Sequence, residues 1–100
     1  MITTYGAIPD HMVAENMKDL TNQIFKLLPY KEQHSELLSD HFKVILFRLR
    51  GLTELLPDEP VLLTIMSFLQ AAQSEEDFYL YRKSILDSCS LLSKVGVPDA

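Results

Sequence analysis

Pro60-Val61-Leu62-Leu63-Thr64-Ile65-Met66-Ser67-Phe68-Leu69-Gln70-Ala71-Ala72 is the stretch that decides how this chain folds. It carries no charge and is apolar almost all the way round a helix. A helix without a strong polar face has to be covered on several sides. Either the other helices surround it, or a second copy of the protein completes the cover. Leu62, Leu63, Met66 and Leu69 are accordingly assigned to the deepest core or to a self-contact.

Working outward, Pro57 breaks the chain upstream of this segment. Asp58 or Glu59 is placed to cap the helix, with Pro60 in its first turn, where a missing N–H loses nothing. Downstream, Ser74-Glu75-Glu76-Asp77 resembles a capping box and opens a further helix running to about Val95. Phe78, Tyr81, Ile85, Leu92 and Val95 form its apolar stripe, with Ser88 or Cys89 filling the missing step. Lys94, Gly96 and Pro98 are closing signals.

The first half repeats the pattern. Asp10 is a candidate N-cap, and Val13, Met17, Leu20, Ile24 and Leu27 recur at helical spacing until Pro29. A second helix is read from about Lys31 to Leu56, on Leu38, Phe42, Ile45, Leu49, Leu52 and Leu56. Leu37, Val44 and Leu55 widen that stripe. Gly51 lies inside it and suggests a bend or a close helix crossing. Residues 1–9 read as a short extended N-terminal arm, 10–96 as one helical domain, and 97–100 as a tail. Short connections favour antiparallel neighbours. The expected fold is all-α, an antiparallel four-helix bundle. The alternative is two helical hairpins from two subunits wrapped around paired third helices.

Composition narrows the function classes. Hydrophobic residues make up 47% of the 100 residues, enough to bury a core without metal or disulfide. The single cysteine, Cys89, has no partner in the chain, which fits a reducing compartment. A net charge of −5 disfavours direct nucleic-acid binding and anionic membranes. The apolar run at 61–72 is shorter than the ~20 residues that span a bilayer, and the N-terminus shows no leader pattern. A cytoplasmic location is expected.

No reactive constellation stands out. His34 and His41 are seven apart, whereas a chelating pair on a helix prefers a spacing of four. Inward Glu-x-x-His patterns of a carboxylate-bridged metal site are absent. The serines at 84, 88, 90 and 93 have no histidine near them, and the three glycines are isolated. Neither a cofactor, a metal nor enzyme activity is expected.

Two surfaces remain. Glu32, Glu36 and Asp40 recur every four residues, with Glu15 and Asp19 on the first helix. On one continuous helix such carboxylates rise by about 6 Å per step. That rise is close to the phosphate spacing along one nucleic-acid strand, so the face would suit a basic groove on a nucleic-acid-binding enzyme. The second surface pairs aromatic with basic residues: Lys43, Phe47 and Arg50, and again Tyr79, Arg82 and Lys83. Aromatic residues and Arg are the composition of interface hot spots. Unless Phe47 is covered by another helix, that face is free for a protein partner.

The expected function is a non-enzymatic protein–protein interaction module, self-associating through the apolar third helix. The alternative is a small acidic regulator or inhibitor, of the kind carried by phages or other mobile elements.

Overall fold

The computed structural model describes residues 2–3, 6–7 and 9–95. Five helices dominate it: α1 (Asp10–Phe25), α2 (Leu27–Glu32), α3 (Leu38–Leu55), α4 (Val61–Gln73) and α5 (Phe78–Leu92). They are preceded by two two-residue strands, β1 (Ile2–Thr3) and β2 (Gly6–Ala7), paired antiparallel with Ile2 opposite Ala7 and Thr3 opposite Gly6. The sequence carries no alternating stretch to announce this ribbon. Gly6 adopts φ +120°, a backbone state that glycine reaches without the penalty a Cβ would bring. Gly96, Pro98 and the 97–100 tail lie outside the described residues.

The periodic positions of the first helix are all interior. Val13, Met17, Leu20, Ile24 and Leu27 are buried. Pro29 does interrupt the helix, but not where it stands. It has no N–H for the carbonyl of Phe25 four residues earlier, and its ring crowds that carbonyl. α1 therefore stops at Phe25, and the chain restarts as α2 at Leu27. Pro29 becomes the third residue of α2, where an absent N–H costs no intrahelical bond.

The long second helix is likewise shorter than its stripe suggests. α2 ends at Glu32, a turn follows, and α3 begins at Leu38. His34 sits in that turn at φ +51°. α3 then runs unbroken through Gly51, and nothing lies within 4 Å of a Cβ built there. Among the described residues, Gly51 therefore marks no close helix crossing. Phe42, Ile45, Leu49 and Leu56 are buried, whereas Leu37 and Val44 are exposed. The neighbours cover a narrower sector of α3 than the apolar residues occupy.

Three helix starts differ from the sequence reading. Ser74 is the C-cap of α4, and its hydroxyl donates to the Ala71 carbonyl at 3.3 Å. Asp77 caps α5, accepting from the N–H groups of Tyr79 (2.8 Å) and Leu80 (3.3 Å). At the start of α4, Pro60 is the N-cap and no side chain caps the helix. At α1 the N-cap is Pro9, so Asp10 is the first helical residue rather than the cap.

α4 packs chiefly against α5 and then α3; α1 packs mainly against α5, and α2 bridges α1, α3 and α5. Leu62, Ile65, Leu69 and Ala72 present one face of α4 to a core shared with Leu20, Ile24, Ile45, Leu49, Tyr81, Ile85 and Leu92. Polar contacts fix the order along α1. The His41 ring Nε2 donates to the Gln23 carbonyl at 2.8 Å. Arg48, seven residues later, reaches Asp19 and Asn16 earlier on α1, at 2.9 and 3.2 Å. On α5, Tyr81 bonds Leu27 and Cys89 approaches Thr21.

Candidate functional site

The core uses up some of the residues that the sequence offered as contacts. Leu62 and Leu69 are fully buried, and Met66 is half-buried against the core. Leu63 is 59% exposed on the opposite side of α4, beside exposed Thr64, Ser67, Gln70 and Ala71. So α4 is apolar all round in sequence but covered on one side within the chain. Ile65, between Leu62 and Leu69 in sequence, is fully buried as well. The three–four–three spacing of Leu62, Ile65, Leu69 and Ala72 is the signal that marks it.

The carboxylate series does not survive the break after α2. Glu32 closes α2, Glu36 lies in the turn, and Asp40 is in the first turn of α3. The even rise of one helix is therefore missing. Glu15 is exposed, but Asp19 on α1 is engaged by Arg48 at 2.9 Å. The histidines are separated too. His34 is exposed in the turn, while His41 is held on the Gln23 carbonyl and its ring stands T-shaped to that of Tyr30, 5.1 Å between centroids. Among the described residues no group of three or more His, Cys, Asp or Glu could hold a metal ion.

Cys89 is buried, and loss of water around it pushes the thiol up to about 11. It stays protonated near neutral pH, and the thiol is a far weaker nucleophile than the thiolate. Its thiol makes a long 3.9 Å approach to the Thr21 carbonyl. A cleft of about 210 Å³ between α1 and the end of α5 is walled by Met17, Thr21, Ser93 and Val95. Among the described residues on its wall, Lys18 is the only ionisable one.

The aromatic–basic surface is different. Phe47 is 79% exposed, the most open of the large apolar side chains among the described residues. No described helix covers it. Lys43 and Arg50 flank it, both exposed, and Val44 adjoins it. Phe47, Arg50, Gly51 and Glu54 line a shallow dent of about 180 Å³ on the outer face of α3. Gly51 leaves its floor without a side chain.

Tyr79 is 73% exposed near Arg82 and Lys83, the last of which pairs with Asp87 at 3.0 Å. The structure does not bring this group together with the α3 group. Phe42 on α3 and Tyr81 on α5 meet edge-on in the core, 6.2 Å between centroids. Phe47 lies about 140° round α3 from Phe42, and Tyr79 about 200° round α5 from Tyr81. Both turn away from the shared seam, so they form two separate surfaces.

No described helix is long and apolar enough to cross a membrane. Compared with family models, with curated proteins and with solved structures, the chain matches none of them.

Proposed function

We propose that the chain is a non-enzymatic protein–protein interaction module that binds through the outer face of α3. The observation that carries this reading is the open Phe47, held on a helix whose other side is anchored by Phe42, Ile45 and Leu49. An aromatic ring on a rigid support, beside Arg and Lys, is the composition of an interface hot spot. Leaving it in water costs solubility unless something covers it. The net charge of −5 favours a protein over a nucleic acid as that cover.

The scaffold in this reading is an antiparallel four-helix bundle, with α1 and α2 serving as one interrupted helix. The opposed order of the Gln23–His41 and Asp19–Arg48 contacts supports it. Self-association through α4 is not retained, because Leu62 and Leu69 are spent on the core. The acidic-regulator alternative loses the continuous carboxylate ladder on which it stood.

A photo-reactive benzoylphenylalanine in place of Phe47 tests the reading in cells that make the protein. Irradiation should give a discrete protein adduct, while the same group at exposed Glu76 gives none. Equal or absent adducts at both positions would remove the proposal.

A further inference from the structure

We infer that the turn between α2 and α3 is a hinge through which two copies of the chain exchange their α1–α2 arms. In the exchanged pair residues 33–37 straighten, and α2 and α3 become one helix. The α1–α2 arm of each copy then lies on α3, α4 and α5 of the other. The inference stands apart from the reading of the outer face of α3.

The way the turn is closed carries the argument. The Ser35 N–H donates to the Tyr30 carbonyl at 2.9 Å, and the His34 N–H to the Lys31 carbonyl at 3.2 Å. Such a pair of bonds ends a helix when the residue after its last turn goes left-handed, a place that glycine usually takes. His34 holds it here, at φ +51°. Ser35 stands where an apolar residue commonly packs back on the helix. The stop is therefore a weak one. From Tyr30 to Arg50 there is neither Gly nor Pro, so once His34 turns right-handed no breaker halts the helix. Gln33, His34, Glu36 and Leu37 are exposed, so these four can rearrange without giving up core burial of their own.

Straightening pulls α2 off α3. The rings of Tyr30 and His41 are 5.1 Å apart across the turn. On one continuous helix residues 30 and 41 are about 16 Å apart along the axis. Val13, Met17, Leu20, Ile24 and Leu27 then lose their cover. The surface they fit is the one vacated on a second copy in the same state. There the Tyr81–Leu27 and His41–Gln23 hydrogen bonds and the Arg48–Asp19 ion pair form again, now between chains. Interior contacts are thus alike in monomer and exchanged pair, and the balance falls to the two hinges and the freedom lost on association. Glu32, Glu36 and Asp40 come one turn apart on the straight helix, where they repel and hold the balance towards the monomer.

Refolding from urea at micromolar and at millimolar chain concentration, followed by size-exclusion chromatography, tests this. Wild type should give monomer at micromolar and a dimer fraction that grows towards millimolar. His34→Gly suits the turn and should weaken dimer formation about a hundredfold, since each pair contains two hinges. Glu36→Lys turns repulsion on the straight helix into attraction and should strengthen it about tenfold or more. Charge reversal then identifies the arms. Asp19→Arg and Arg48→Asp each set like charges together within one chain. Refolded as an equal mixture, the two variants match every pair only in an exchanged heterodimer. Mass spectrometry of the dimer peak should find more heterodimer than the half that random pairing gives.

A wild-type chain that stays monomeric at millimolar concentration overturns the exchange. So does a dimer indifferent to His34→Gly, or a heterodimer share of one half. Melting curves identify any variant that is simply unfolded. His34→Gly and Glu36→Lys lie in the exposed turn and keep the test decisive if the charge-reversed chains fold badly. Adducts from position 47 report on the outer face of α3 alone, so either reading can fail while the other stands.

Discussion

The Tyr81 hydroxyl donates a 2.7 Å hydrogen bond to the main-chain carbonyl of Leu27, 54 positions earlier, with both residues fully buried. It joins α5 to the first residue of α2, just past the break that Pro29 imposes. The ring is held by Phe42 edge-on and by Phe78 stacked at 6.0 Å, with the Lys31 ammonium 5.2 Å from its centroid. The same Lys31 donates to the Glu75 carbonyl at 3.3 Å. Tyr81 thus fixes where the short α2 sits against the rest of the core.

Removing only that hydroxyl tests its role. Tyr81→Phe keeps the ring packing and deprives the Leu27 carbonyl of a buried donor. A loss of about 1–2 kcal/mol is expected in urea unfolding, with the slope against denaturant unchanged. Tyr81→Ala also empties the ring site and should cost about 3–5 kcal/mol. Equal stabilities for wild type and Tyr81→Phe would show that the bond contributes nothing.

Asp77 supplies the N-terminal side-chain cap of α5. Its carboxylate accepts from two otherwise unbonded N–H groups and faces the positive end of the helix dipole. Asp77→Ala should lower stability by about 1 kcal/mol, and Asp77→Asn by less. Ser74→Ala should be near neutral, because the Ser74 hydroxyl bonds only a carbonyl at the exposed end of α4. Chemical denaturation of the three variants side by side decides whether Asp77 or Ser74 is the cap.

Alkaline pH should unfold the protein through two buried acids. Cys89 ordinarily ionises at 9.0 and is pushed up to about 11 by loss of water. Tyr81 is raised well above its ordinary 10.0 by the same cause. In each case the unfolded chain loses its proton first, so folding is opposed as pH rises. The stability from Cys89 is complete below 9.0 and drains away between 9.0 and about 11; that from Tyr81 begins to drain at 10.0. Melting temperatures should fall through that window, and Cys89→Ala should flatten its lower part. A constant melting temperature up to pH 11 would contradict the burial of both groups.

Two positions carry residues mismatched to their backbone. His34 has φ +51°, a left-handed state that a side chain resists. Gly51 sits mid-helix, where glycine costs about 1 kcal/mol relative to alanine, and a Cβ there meets nothing. His34→Gly should stabilise by up to about 1 kcal/mol, and Gly51→Ala by about the same. The two sites lie in different elements, the turn after α2 and the middle of α3, so their effects should add. Thermal melts at dilutions that keep the chain monomeric provide the comparison. A destabilising Gly51→Ala would imply that the Cβ site is occupied.

Much of the interior was legible from spacing alone. Val13, Met17, Leu20, Ile24 and Leu27 lie on one helical stripe and are all buried, as are Phe42, Ile45 and Leu49. Phe47 was legible as opposite the α3 stripe, but its exposure depended on whether another helix lay over it. The helix boundaries were less readable. Pro29 acts on a carbonyl four residues before it, and the turn at His34 lies in a polar stretch with neither Gly nor Pro. The carboxylate series failed for that reason: its regularity existed along the chain and not along a helix.

Local pattern by itself determined that these segments coil, which stripe of each is apolar, and that no charge interrupts 61–72. Those properties depend on neighbours within a turn or two. How much of each stripe is covered was decided only in three dimensions. Burial needs partners, and α4 found them for Leu62 and Leu69 but not for Leu63, while α3 found them for Phe42 but not for Phe47. Helices of this length enclose one core and leave their outer sides to water, and which apolar residues fall outside follows from how the helices are rotated against one another.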